Sequence, residues 1–210
     1  MSVSRTALPV LIAAALCMTA GRAHADGSFL ELGGGIDFTV LGSFDVGESL
    51  GGPEERSDLG PGTLGPFVAA DLRVAPTVRI GAEAGIAIGG LVKTDERYFG
   101  STSDVGSTST VWLRAKVGWT ALPVPGMSVR IGGAAGVERM AEATGAGSVH
   151  LDSIVTGPWA SLVIGSGFVA EVHADLHAPY HGRIGDDTGN PDGLFYGAGI
   201  RVAYMFGLGL

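Results

Sequence analysis

Two short stretches hold the side chains best suited to chemistry. In "EVHADLH", Glu171, His173, Asp175 and His177 recur at every second position. On a strand that spacing puts all four on one face. Imidazole and carboxylate groups two apart can share a metal ion, which makes His173, Asp175 and His177 candidate ligands. The alternative is that they pair with bases on neighbouring strands, Arg201 among them. In "SVHLDS", Ser148, His150 and Asp152 also stand two apart. A hydroxyl within hydrogen-bond reach of an imidazole can act as nucleophile with its base, so this trio is a candidate catalytic set. The bland reading is a polar loop. No cofactor is expected.

Both stretches belong to a chain that alternates almost throughout. Eight segments interleave apolar residues with polar or small ones: "FLELGGGIDFTV", "LGPFVAADLRV", "VRIGAEAGIAI", "VWLRAKVGWTA", "VRIGGAAGVERM", "GPWASLVI", "FVAEVHADLHA" and "LFYGAGIRVAYMFGLGL". Alternation at period two marks strands with two different faces. The first seven run 8 to 12 residues and the last 17, against the 9 to 11 or so that a tilted membrane strand needs. The connections alternate in length. Those at 41–62, 93–109 and 179–193 are long, those at 75–77, 122–126 and 165–167 are short, and 141–151 is intermediate. Short turns at one end and long loops at the other are the pattern of a membrane barrel. A faint repeat, "GPFVA" from Gly65 and "GPWAS" from Gly157, recurs four strands apart.

The charges decide which face is inside. Seven acids share the non-apolar face: Glu31, Asp37, Asp71, Glu83, Glu138, Glu171 and Asp175. Six bases share it too: Arg73, Arg79, Arg114, Lys116, Arg130 and Arg201. The apolar face carries only Arg139, at a strand end. A charge facing the bilayer midplane costs about 2–4 kcal/mol, so its exclusion from one parity is expected of a wall facing lipid. A soluble barrel reverses the pattern, apolar inside and polar outside. An eight-stranded barrel is just wide enough for side chains to fill, and charges confined there must pair. The lumen is therefore expected to be plugged by an ion network, with Phe67, Trp112, Trp159 and Met205 adding bulk. The last strand must pair with the first, because lipid offers backbone groups no partner.

Composition agrees. Mean hydropathy is +0.35, yet the only long uncharged apolar run lies at the start, from Thr6 to Gly21. With Arg5 before it and "AHA" at Ala23–Ala25 after it, residues 1–25 read as a cleavable secretory signal, and residues 26–210 as a single barrel domain. The run is about 16 residues, short of the roughly 20 that span a bilayer. Cys17, the sole cysteine, leaves with the signal, so no disulfide supports the exported domain. The mature chain has 11 Lys and Arg against 21 Asp and Glu, a net −10. Much of the excess lies in "DVGESLGGPEERSD" and "GRIGDDTGNPD". Acidic loops exclude nucleic acid as a partner. Their bland role is a soluble rim; the candidate alternative is divalent cations, which prefer carboxylates.

The signal, the eight alternating segments and the terminal strand resemble the small outer-membrane β-barrels of Gram-negative bacteria, the OmpA and OmpX type. The resemblance covers Asp26 to Leu210. It implies an all-β, eight-stranded antiparallel up-and-down transmembrane barrel in the outer membrane, with lipid, lipopolysaccharide and the barrel-assembly machinery as partners. Members usually end in an aromatic residue read by that machinery; here Leu210 stands last, with Tyr204 and Phe206 upstream. Some such barrels deacylate or acylate lipid A with a His and a Ser near the outer leaflet, the role open to Ser148 and His150. The leading expectation is a non-enzymatic barrel with a structural or surface-interaction role. The alternatives are a lipid A-modifying enzyme and a small-solute channel.

Overall fold

A computed structural model describes residues 30–42, 62–92, 105–144, 147–184, 187–189 and 193–208. The signal at 1–25, the acids of "DVGESLGGPEERSD" and the terminal Leu210 lie outside the described residues. The elements are β1 (Leu30–Leu41), β2 (Gly62–Arg73), β3 (Val78–Val92), β4 (Val105–Val124), β5 (Met127–Thr144), β6 (Gly147–Ile164), β7 (Phe168–Ile184), β8 (Asp187–Gly189) and β9 (Phe195–Leu208). Each of β1 to β7 pairs antiparallel with the next, β9 pairs with β7, and β1 closes the ring on β9. The fold is a closed, eight-stranded, up-and-down barrel, with β8 outside it on the upper end of β7. No described helix is long and apolar enough to cross a membrane.

The expected parity is the observed one. Ile36, Val68, Ile86, Leu113, Val137, Ile154, Val172 and Ile200, one from each barrel strand, point outward and are 49–56 % exposed. This ring of large apolar residues has no protein layer over it. Aromatic residues flank it at both ends: Trp119, Phe168 and Tyr204 toward the short turns, Phe38, Tyr180 and Tyr196 toward the other rim. Such girdles are typical where a barrel wall meets the two membrane interfaces. Trp159 and Ser161 of β6 point inward, and Ile164 outward.

The short connections are tight. Pro125 and Gly126 turn β4 into β5, with Gly126 at φ 75°. Proline presets its own φ, and glycine takes the left-handed conformation without a Cβ clash. At the other end the strands outrun their alternation. β5 and β6 continue to Thr144 and from Gly147, where an intermediate loop at 141–151 was expected. Likewise β4 begins at Val105 and β7 reaches Ile184, inside the expected long loops. Beyond the apolar ring the outward positions turn polar, as at Arg139, His150 and His181, while Met140 and Leu151 stay buried on the inward face, so backbone pairing persists while the apolar period that reveals it fades. The "GPFVA" and "GPWAS" repeat sends Phe67 and Trp159 inward, both buried. The ladders skip Gly65–Pro66 toward β3 and Gly157–Pro158 toward β7, as proline offers no N–H.

Candidate functional site

The cross-strand register builds the lumen. Arg201 on β9 lies opposite both Asp37 on β1 and Glu171 on β7. Its guanidinium donates to Asp37 at 3.0 Å and Glu171 at 3.2 Å, and across the barrel to Glu83 at 2.6 Å. Lys116 bridges Glu83 at 3.1 Å and Glu171 at 2.8 Å. This middle layer joins β1, β3, β4, β7 and β9. The Arg201 guanidinium also lies over the Trp112 ring at 4.8 Å, and the Lys116 ammonium over Trp159 at 4.3 Å. Both geometries add cation–π attraction.

Below it, toward the short turns, Glu31 accepts from Arg79 at 2.7 Å and from Arg130 at 2.9 Å. Above it, Arg114 reaches Asp175 at 2.9 Å and Glu138 at 3.3 Å. Glu31, Glu83, Arg114 and Arg201 are all buried. Asp71 and Arg73, half-buried on the same face, stand outside these pairs. Burying a charge is tolerable only when it is paired and hydrogen-bonded, and most of the thirteen expected lumen charges meet that condition through partners on other strands.

The "EVHADLH" face lies inside this network. Glu171 goes to Arg201 and Lys116, and Asp175 to Arg114. His173 Nε2 stands 3.2 Å from the Thr39 hydroxyl and 3.5 Å from Asp175. His177 Nδ1 stands 3.3 Å from Glu138, and its ring stacks on Phe195 at 4.4 Å. Among the described residues no three His, Cys, Asp or Glu groups converge as a metal site. His173 and Asp175 stand beside each other, but Thr39, Arg114 and Glu138 also engage His173, Asp175 and His177 respectively. Among the described residues, small cavities interrupt the packing. One of about 30 Å³ lies between Asp71, Glu83, Lys116, Arg130 and Glu171. Another, of about 10 Å³, lies between Asp37, Thr39, Thr63, Thr110 and Arg114.

Of the "SVHLDS" trio, His150 and Asp152 lie on the outer wall of β6, not in the lumen. Asp152 accepts from Arg139 Nε at 2.6 Å and Nη2 at 2.9 Å, a bidentate pair. Beyond the apolar ring, the Arg139 hydrogen bond holds the Asp152 carboxyl below its ordinary value, against a smaller opposing cost of burial. The carboxylate that would orient His150 is therefore committed to a guanidinium. The Ser148 side chain lies outside the described residues. Arg139 stood out in the sequence as the charge of wrong parity, but its partner on the next strand did not. Only the register, which sets Arg139 opposite Asp152, reveals the pair. Thr39 and Phe195 were likewise not legible as partners of the histidines, because neither type signals its role.

No family model matches the chain, and no curated protein sequence does. Solved structures share its fold. Neisserial surface protein A (NspA) is 10% identical with a TM-score of 0.51, covering 86% of this chain and 98% of that one. Ail, the attachment invasion locus protein of Yersinia pestis, was solved alone and with the heparin analogue sucrose octasulfate. It is 11% identical, with TM-scores of 0.48 and 0.49, covering 84% of this chain and 97% of that one. The likeness to NspA is one of architecture: the chain has the fold of the small outer-membrane barrels.

Proposed function

We infer that this chain is an exported outer-membrane barrel with a plugged lumen, and that its role is structural or surface-interacting, not enzymatic. One observation carries the reading: the outward ring of large apolar residues encloses an interior of buried, paired charges. Facing any of those charges to a bilayer midplane costs about 2–4 kcal/mol, while facing the apolar ring to water forfeits its burial. Only a lipid solvent suits both faces. Residues 1–25 act as the export signal, and residues 26–210 form the barrel.

Support for a closed lumen comes from the buried ion pairs that cross it and from the small size of the cavities among the described residues, about 30 and 10 Å³, room for only a few waters. The loop acids then form the surface that meets lipopolysaccharide, divalent cations or an external partner, and the barrel-assembly machinery inserts the chain. A lipid A-modifying role loses support because Asp152 is bound to Arg139.

Two measurements test this. Membrane fractionation should recover the mature chain, lacking residues 1–25, with the outer membrane, running faster on a gel unboiled than boiled. In a planar bilayer it should give no conductance steps. Recovery in the soluble periplasmic fraction would end the membrane reading. Discrete steps would end the plugged one, and an altered lipid A mass spectrum on deletion of the gene would revive the enzyme.

A further inference from the structure

The lumen is one cation short. Among the described residues its inward faces carry seven carboxylates against six bases, a net −1 before the histidines are counted. The deficit lies in the middle and upper layers. Asp37, Glu83 and Glu171 share Arg201, Glu83 and Glu171 also share Lys116, and Glu138 and Asp175 share Arg114. Five carboxylates there divide three bases, a net −2. In the lower layer Glu31 and Asp71 stand against Arg73, Arg79 and Arg130, a net +1. Every ion pair between these groups is inside the count, so pairing alone leaves one negative charge unmet. A charge held away from water needs a counter-charge.

The upper layer also has a hollow of fitting size. The cavity of about 10 Å³ takes one water-sized body. Its polar wall is nearly all oxygen: the carboxylates of Asp37 and Glu138 and the side chains of Thr39, Thr63 and Thr110, with Arg114 as the single base. That wall is itself net −1. Thr110, on β4, is 5 % exposed, and its Oγ1 is buried with no hydrogen-bond partner. A buried hydroxyl left unpaired is costly unless the cavity holds something that its lone pairs can meet. Oxygen ligands suit a hard cation. One missing charge and room for one small body select a monovalent ion over a divalent one. Repulsion from Arg114 makes its affinity weak.

Resting on the plugged-lumen reading, we propose that Asp37, Thr39, Thr63, Thr110 and Glu138 form a site for one monovalent cation of the size of sodium, held inside the barrel as part of the plug. The ion binds as the strands close around it, and it brings the described lumen to neutrality. No covalent bond is made or broken.

The test follows urea unfolding of the full mature barrel in phosphatidylcholine vesicles by tryptophan fluorescence, in sodium chloride and in choline chloride at equal ionic strength. With sodium at about ten times its dissociation constant, the folding equilibrium constant rises about tenfold, read as a higher midpoint. Thr110→Val removes the hydroxyl, keeps the branched shape and should erase the difference between the two salts. Thr108→Val removes another buried hydroxyl, one outside the cavity wall, and should preserve it. Unboiled gel mobility shows that each variant closes; Thr63→Val replaces Thr110→Val if that one does not. Equal midpoints in the two salts would overturn the site, leaving water in the cavity and the plugged-lumen reading intact. A sodium effect that survives Thr110→Val would overturn it too. So would a midpoint that follows pH and not sodium, which would make the missing charge a proton on His173, His177 or a carboxyl group. Conductance steps from the wild type would remove the plug and the site together.

Discussion

Arg201→Met isolates the central cation of the lumen. Arg201 holds Asp37, Glu83 and Glu171 at 3.0, 2.6 and 3.2 Å. After substitution, Lys116 still meets Glu83 and Glu171 at 3.1 and 2.8 Å. Asp37 keeps only the Thr39 hydroxyl at 3.3 Å and a His173 nitrogen at 3.9 Å. One buried carboxylate is thus left without a cation. Breaking a buried pair by removing one partner costs about 3–5 kcal/mol, and the expected loss lies in that range rather than at three times it. Asp37→Asn in the Met background removes the orphaned charge and should restore about 1–3 kcal/mol. Arg139→Met breaks an equally close pair whose guanidinium is 67 % exposed, and should cost less than about 1 kcal/mol. Urea titration in phosphatidylcholine vesicles, followed by tryptophan fluorescence, reads all three as midpoint shifts at constant slope. Equal losses at Arg201 and Arg139 would refute the reasoning, because the lumen charges would then be solvated by water.

Val172→Arg places a charge on the outward ring and should destabilise insertion by about 2–4 kcal/mol, measured in the same titration; a neutral effect would mean that Val172 does not face hydrocarbon. Gly118→Val and Gly132→Val each put a branched side chain under the Trp159 ring, so each should cost about 1–3 kcal/mol and alter the near-ultraviolet circular dichroism of that ring. Trp112→Ala with Trp159→Ala removes the two buried indoles of the plug, and conductance steps absent from the wild type should appear in a planar bilayer. Arg139→Gln should raise the Asp152 pKa toward the ordinary 3.8, read by carboxyl chemical shift against pH. In the wild type the folded value is depressed, so the pair's contribution is present above the unfolded pKa and is lost as pH falls through the folded one.

The barrel was legible because its solvent imposes a rule on every second residue. Glu83 between Ala82 and Ala84, or Arg114 between Leu113 and Ala115, declares its face without any partner being known. Which charges pair was not legible, since Arg130 and Glu31 are joined by register and barrel diameter, and neither leaves a mark on local sequence. The glycines were half legible. Their number, 36 of 210, argues against long helices, but only the structure explains why Gly118 and Gly132 are bare: a Cβ at either would meet the Trp159 ring, and at Gly132 the Val117 carbonyl first. Strand ends were lost where the outward face turns polar, as at His150 and Asp152. For the same reason "SVHLDS" reads as a loop although it lies within β6.

Seven of the eight seams in the wall are zipped between neighbours in the chain or across one short detour, but the eighth joins Leu30 to Leu208. Contacts so far apart in sequence form slowly, since the entropy of closing so long a loop must be met first. Until the last strand arrives, β1 has a bare edge of amides and carbonyls, open to any other strand that passes. Closure of the barrel is therefore gated by β9. A truncation before Phe195 should leave a sticky open sheet rather than a smaller barrel, because the β1 edge then has no strand to pair with.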